Sequence, residues 1–207
     1  MTPVKRVFDI LLALALGIVL APLIAVIAIV ILLRDGRPVF YLSERMTTPE
    51  RGFQLWKFRT MTVVERDTGV SGGDKAARIT PTGRALRRYR LDEIPQLLNI
   101  LRGDMSFVGP RPPLRRYVEM CPETYARVLR NRPGVTGLAT LVFHGREARL
   151  LSPCRTAEET EAVYLRRCVP AKARLDLIWA RNRTLCYDFW LMLATVIRVM
   201  PPRLRRR

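Results

Sequence analysis

The chain is poor in the side chains that build most metal centres and catalytic relays. Its 207 residues include one histidine, His144, which leaves little room for a histidine-based metal site or a Ser-His-Asp relay. His144 itself reads as structural or peripheral. The four cysteines, Cys121, Cys154, Cys168 and Cys186, form no Cys-x-x-Cys pair and no metal-ligand spacing. They read as small buried hydrophobes in a reducing compartment. Acidic residues are scarce: 18 Asp+Glu face 36 Lys+Arg, a net charge of +18. Such a chain seeks polyanions, and charge alone does not choose among nucleic acid, anionic lipid and phosphorylated substrates. Internal repeats and low-complexity linkers are also missing, and the length suits one domain. Any acid, base or nucleophile here is therefore expected to be a carboxylate.

What the chain does have is an apolar run. Ile10 to Leu33 contains no charged residue, enough to cross about 30 Å of hydrocarbon as a helix. A signal peptide fits poorly, because the run is long and Leu32-Leu33-Arg34-Asp35 offers no small-residue cleavage site. Pro22 sits near the middle, where it removes a backbone hydrogen bond. Both flanks are basic, with Lys5 and Arg6 before the run and Arg34, Arg37 and Arg45 after it. The positive-inside rule wants both flanks in the cytoplasm. A straight span stays open, but a re-entrant helix broken at Ala21-Pro22 satisfies both observations. The resulting division is a membrane helix over residues 1–36 and a cytoplasmic catalytic domain over 37–207. The fold class is α+β and mostly helical, with a small β-hairpin and amphipathic interfacial helices.

The hairpin is expected from Val39-Phe40-Tyr41 and Phe53 to Phe58. Glu65 to Lys75 reads as a mobile loop, Thr82 to Arg90 as a short basic helix, and Asp92 to Leu101 as another. Gly103 to Pro113 is a Gly/Pro-punctuated loop, Leu114 to Arg130 is helical with an interruption near Pro122, and Arg132-Pro133-Gly134 opens a further loop. Asp188 to Met200 is too short to span and suits a helix lying in the headgroup region. Arg203, Arg205, Arg206 and Arg207 either grip anionic lipid or form a solvated tail.

The most informative stretch is Leu91-Asp92-Glu93-Ile94-Pro95-Gln96-Leu97-Leu98-Asn99-Ile100-Leu101. Ile94, Leu97, Leu98 and Leu101 fall on one helical face. Pro95 suits a first turn and Gly103 an exit, so Asp92 lands at or near the N-cap with Glu93 in the first turn. Asp92 as a cap alone is the bland reading. Arg84, Arg87, Arg88 and Arg90 upstream and Gly109-Pro110-Arg111-Pro112 downstream weigh against it. Adjacent carboxylates, free amides and converging arginines suit a phosphate bound with a divalent cation. One carboxylate could then attack phosphorus.

Five segments, taken in order, resemble the bacterial sugar transferases, the monotopic phosphoglycosyl transferases. They are Lys57-Phe58-Arg59-Thr60-Met61, Thr82-Gly83-Arg84 through Arg87, Leu91 to Gln96, Gly103 to Pro112, and Arg132-Pro133-Gly134-Val135-Thr136-Gly137. Lys5-Arg6-Val7-Phe8-Asp9, leading into the apolar run, extends the likeness over nearly the whole chain. The resemblance implies transfer of a sugar-1-phosphate from a UDP-sugar to polyprenyl (undecaprenyl) phosphate, with release of UMP. This would be the first membrane step of a bacterial glycoconjugate pathway, at the cytoplasmic face of the inner membrane. It implies Asp92 as the nucleophile forming a phosphosugar-aspartate, and Asp92 with Glu93 holding Mg²⁺. Arg87 and Arg111 would hold phosphate oxygens, and Lys57 and Arg59 would line the site or meet lipid headgroups. Membrane phospholipids are implied as contacts and nucleic acid is not; whether the chain forms a homodimer stays open.

Two departures stand out. Many members have Ser before the helix-breaking proline where this chain has Ala21, and after Thr136-Gly137 the chain reads Leu138 to Arg146 in place of the usual Gln and Gly-Arg pair. The sugar is therefore not legible. The alternatives are a membrane-tethered polyanion binder and a non-catalytic scaffold; neither has a use for the Asp-Glu dyad.

Overall fold

The computed structural model describes residues 2–63 and 77–199. The loop expected at Glu65 to Lys75 and the terminal arginines lie outside the described residues. The architecture is α+β and mostly helical, with two small sheets.

The apolar run forms one helix, α1 (Pro3–Arg34). Thr2 caps it, its hydroxyl accepting from the Lys5 amide at 3.3 Å, and Pro3 occupies the first turn. The helix is not interrupted at Ala21-Pro22, where a break was expected: Pro22 is an interior residue. Pro22 cannot donate to the Ile18 carbonyl, but one missing bond does not end a helix whose turns on both sides are bonded. Most of its apolar surface stays uncovered, with Ile18 76%, Val19 69% and Leu33 79% exposed. This is a helix long and apolar enough to cross a membrane.

Both ends of α1 rest on the same body. Near the start, the Lys5 ammonium meets Asp188, and the Arg6 guanidinium donates to the Ile100 and Leu101 carbonyls at 2.6 and 2.9 Å. Ala13 packs in a core with Ile100, Met105, Trp179 and Leu191. Near the end, Ile27 and Ile31 pack on Phe58 and Leu86.

The hairpin forms as expected, β1 (Phe40–Met46) antiparallel to β2 (Gly52–Phe58) with Tyr41 opposite Lys57. α2 (Pro81–Arg88) follows, capped by the Thr80 hydroxyl. Its Gly83 lies against the Thr60 carbonyl, where a Cβ would approach to 2.1 Å, so only glycine lets α2 sit this close to the chain leaving β2.

The segment expected as one helix from Asp92 to Leu101 is divided. Leu91–Gln96 winds as a 3₁₀ turn and α3 (Leu97–Arg102) continues it to Gly103, which ends the helix at φ 89°. Asp92 is not the cap. Arg90 takes that position in a left-handed conformation, φ 54°, with no side-chain capping bond. Pro95 has no amide to return to the Leu91 carbonyl, which disfavours an α-helical first turn.

The loops read at Gly103 to Pro113 and Arg132 to Gly134 contain strands. β3 (Ser106–Val108) pairs in parallel with β4 (Gly134–Thr136). α4 (Arg115–Met120) and α5 (Pro122–Val128) are divided near Pro122 as expected. α6 (Leu138–Leu151) and α7 (Ala157–Val163) follow, and a single π-helical turn, Tyr164–Cys168, leads into α8 (Val169–Asn182). Tyr117, Tyr125, Phe143 and Tyr164 fill the core under these helices. Cys154 and Cys168 are buried as expected, whereas Cys186 is exposed. The last helix, α9 (Leu185–Val199), buries Leu191 and exposes Phe189, Trp190, Leu193, Val196 and Ile197, one apolar stripe at helical spacing.

Asp188, buried at the start of α9, accepts from Lys5 and from the Trp179 indole N–H at 2.8 Å. Removing one partner of a buried pair strands the other charge. Asp188→Ala is expected to cost about 3 kcal/mol and to lower the melting temperature followed by circular dichroism in micelles. The Lys5→Met/Asp188→Leu double variant is expected to recover most of that loss.

Candidate active site

Glu93 lies at the centre of a ring of cations. Its Oε1 accepts from Lys57 Nζ at 2.8 Å and from Arg111 Nη2 at 2.9 Å, while Arg90 Nη1 stands 3.7 Å from Oε2. Three separate segments supply these cations: β2, the residue before the 3₁₀ turn, and the Pro-Arg-Pro loop. Burial works against the Glu93 charge, but Arg111, Lys57 and Arg90 outweigh it and hold the carboxyl well below the usual range. Arg111 is raised in return, chiefly by Glu93. Lys57 is lowered by burial, with Glu93 opposing.

Asn99 sets this geometry from beneath. Fully buried in α3, its amide donates to the Gln54 carbonyl at 2.7 Å, and its Oδ1 accepts from the Trp56 amide at 3.0 Å. It thereby completes the open edge of β2 beside Lys57 and pins the strand to the segment that carries the dyad. The sequence reading missed Asn99. The only available signal was a polar residue, poor in helix propensity, between Leu98 and Ile100.

Asp92 differs from its neighbour. It is buried, and its carboxylate makes no hydrogen bond or ion pair among the described residues. Burial pushes its pKa up; Lys57 opposes this, Glu93 adds to it, and Arg87 and Arg111 oppose it. Within one dipeptide, one carboxylate is neutralised by cations and the other is left available.

Of the basic residues expected at the site, the structure brings Lys57, Arg87 and Arg111 to the dyad. Arg87 is held by its Nε donating to Thr60 Oγ1 at 2.8 Å. Arg59 is elsewhere: its guanidinium donates to the Asp35, Gly36 and Arg37 carbonyls at 2.5, 2.7 and 3.1 Å. It ties down the turn that follows α1, donating to the C-cap Asp35 and to the two residues after it. The expectation that Arg59 binds phosphate or lipid headgroups is corrected accordingly. His144, read as structural or peripheral, lines a cleft of about 180 Å³ with Arg87, Arg88, Arg90 and Arg198. Partial enclosure and then Arg90 hold its imidazole below the usual range.

No group of three or more Asp, Glu, His or Cys side chains gathers as a metal cage among the described residues. Mg²⁺ commonly takes one or two carboxylates plus phosphate oxygens and water. The unpartnered Asp92 carboxylate fits that donor set. Both Glu93 oxygens face cations already.

The dyad is one neutralised and one available carboxylate, ringed by cations on a body that also carries a long exposed apolar helix; such a site suits an anionic ligand at a membrane surface. The comparison with known proteins agrees: residues 1–202 match the family described as bacterial sugar transferase, and the chain belongs to that family. It is 42% identical over 144 residues to an uncharacterized sugar transferase, EpsL, of Bacillus subtilis, covering 70% of each chain. It is 31% identical over 199 residues to a UDP-N-acetylgalactosamine-undecaprenyl-phosphate N-acetylgalactosaminephosphotransferase of Aeromonas hydrophila, covering 93% of this chain and 43% of the relative. A UDP-glucose:undecaprenyl-phosphate glucose-1-phosphate transferase of Caulobacter vibrioides is 41% identical over 140 residues, covering 65% of this chain and 52% of the relative. The chain thus spans about half or less of the length of the latter two.

The raised Asp92 pKa has a consequence for stability. A carboxyl raised on folding binds its proton more tightly in the native state. Its contribution is therefore complete below its ordinary pKa and lost as pH rises through the raised one. Once deprotonated, the ligand-free Asp92 costs the fold free energy that its protonated form does not. Asp92→Asn is expected to raise the melting temperature at pH 7, with the gain shrinking as pH falls through the raised pKa and gone below the ordinary carboxylate value. An unchanged or lower melting temperature at pH 7 contradicts this assignment.

Proposed function

We propose that the protein transfers a sugar-1-phosphate from a UDP-sugar to undecaprenyl phosphate through a covalent intermediate on Asp92. The observation that carries this reading is the difference between the two carboxylates. Glu93 is held by Lys57, Arg90 and Arg111, while Asp92 has no bonded partner among the described residues. In the first step an Asp92 carboxylate oxygen forms a bond to the β-phosphorus of the UDP-sugar. The bond from that phosphorus to the bridging oxygen breaks, and UMP leaves with the electron pair. In the second step an oxygen of the lipid phosphate bonds to the same phosphorus, the aspartyl bond breaks, and the carboxylate is restored. Arg87 and Arg111 would steady phosphate oxygens, and Lys57 and Arg90 would keep Glu93 charged and fixed. Mg²⁺, held by Asp92 with the diphosphate oxygens, would supply charge neutralisation for the anionic donor. Relatives whose names specify these substrates support the reading.

The same reading puts the catalytic body on the cytoplasmic side, with α1 embedded from that face among membrane phospholipids and not crossing. The attachment of both α1 ends to one body supports this, as do the basic flanks. The reaction would begin a bacterial glycoconjugate pathway such as exopolysaccharide assembly. A scaffold or polyanion binder gives no account of a buried carboxylate that is unpartnered among the described residues, since it costs stability and such a cost is ordinarily kept for function.

Incubating the protein with Mg²⁺ and a panel of UDP-sugars, without acceptor lipid, is expected to release up to one UMP per enzyme. Asp92 should then carry the mass of a phosphosugar. Asp92→Asn is expected to reduce turnover by at least about 10³-fold while remaining folded in the membrane fraction. Retention of normal turnover by Asp92→Asn rules out the covalent route.

A further inference from the structure

Next to the dyad the protein presents two contiguous surfaces of opposite character. The first is the cleft of about 180 Å³ between α2, α6 and α9, which contains Arg87, Arg88, Arg90, Arg198 and His144. Among the described residues, no carboxylate lines it. The second is an open groove of about 510 Å³ along α9, formed by Leu141, Trp190, Leu193, Ala194, Ile197 and Arg198. Leu141 and Arg198 line both, so the cleft and the groove adjoin. The Arg198 guanidinium donates to the Leu141 carbonyl, which fixes the cation at the junction.

We infer that this cleft and groove together are the binding site of the acceptor lipid. Its terminal phosphate would rest on Arg198, Arg88 and His144, and its hydrocarbon chain along Trp190, Leu193 and Ile197. The inference rests on the reaction proposed above and goes beyond it in assigning a place and residues to the second substrate. An anionic head followed at once by an apolar tail matches the order of the two surfaces. A nucleotide sugar matches less well: its base could stack on Trp190, but the groove residues other than Arg198 offer no polar side chain to its ribose and sugar hydroxyls. Trp190 and Leu193 are 54% and 48% exposed and belong to the same stripe as Phe189, so a chain in the groove stays continuous with a lipid phase on that face. Several arginines without a carboxylate favour a phosphate monoester, with up to two charges, over a phosphodiester with one. Two of the cleft arginines also face the dyad: Arg90 stands beside Glu93, and Arg87 acts on the Asp92 charge. A phosphate held there is a neighbour of the phosphorus it must attack. Arg198, His144 and the α9 groove residues lie outside the segments that suggested the family.

The test uses full-length protein in phosphatidylcholine nanodiscs. Decaprenyl phosphate is titrated while tryptophan fluorescence is recorded, with decaprenol, inorganic phosphate and phosphatidic acid as separate arms. The expected result is a saturable change with decaprenyl phosphate that is lost in Trp190→Phe and shifted at least about tenfold in Arg198→Leu, observed in that case at Trp190. The other three ligands should bind at least about tenfold more weakly. In turnover assays Arg198→Leu and Trp190→Ala should raise KM for the lipid phosphate about tenfold and change KM for the UDP-sugar less than about twofold. Val196→Ala, on the same exposed stripe but outside the groove, separates this from a general loss of membrane contact and should leave the lipid KM unaltered. Equal binding of phosphatidic acid, or unchanged lipid affinity in Arg198→Leu, overturns the assignment. Absent turnover in the wild type with specific binding intact counts against the proposed reaction and for the site.

Discussion

Burying a charged carboxylate is costly unless cations compensate it, and at Glu93 the compensation comes from three parts of the chain at once. Lys57, Arg90 and Arg111 belong to segments far apart in sequence, and they converge because one carboxylate accepts them all. The arrangement ties the hairpin, the 3₁₀ turn and the Pro-Arg-Pro loop into one unit. It also leaves Asp92 as the residual charge: buried in the same place, near the same cations, but bonded to none. Asn99 and Gly83 are the supporting constraints, one pinning β2 to the dyad segment and the other admitting α2 close enough to present Arg87.

The apolar helix is part of this body. Its first turns are bound through Lys5 to Asp188 and through Arg6 to carbonyls of α3, and the turn just past its end is held by Arg59. The dyad therefore sits on a segment that α1 itself braces, since the carbonyls that accept Arg6 belong to the helix continuing from Asp92 and Glu93. The same attachment brings α1 and α9 together at the Lys5–Asp188–Trp179 cluster, although they are the first and last helices of the described chain. Both helices expose apolar stripes.

The excess of basic residues acquires a specific use in this arrangement. Some arginines tie down turns or pair with structural carboxylates, as Arg59 and Arg115 do. Others gather at the dyad and in the adjoining cleft, where carboxylates other than the dyad are absent among the described lining residues. A strongly positive balance, which by itself fitted nucleic acid or lipid equally well, thus resolves into a cationic cleft beside the dyad, bordered by an apolar groove.

The apolar helix, the hairpin and the dyad with its flanking arginines Arg87 and Arg111 were legible in sequence because each leaves a local mark: an uncharged run, alternation, or charges between punctuating residues; Lys57 was placed beside them only by the resemblance to the family. β3 and β4 were not, since strands of three residues are too short to alternate and their pairing joins distant segments. The role of Arg59 was not legible either, because its position beside Lys57 does not reveal that the end of α1 lies within reach. Local covalent geometry fixed that Pro22 lacks an amide and that Pro95 disfavours an α-helical turn, but the continuity of α1 and the 3₁₀ form of the dyad turn depend on what surrounds them. The sequence determined which charges and which apolar lengths are present. Only the tertiary structure decided which of two adjacent carboxylates is neutralised and which is left available, because that depends on cations whose distance in space has no relation to their distance along the chain.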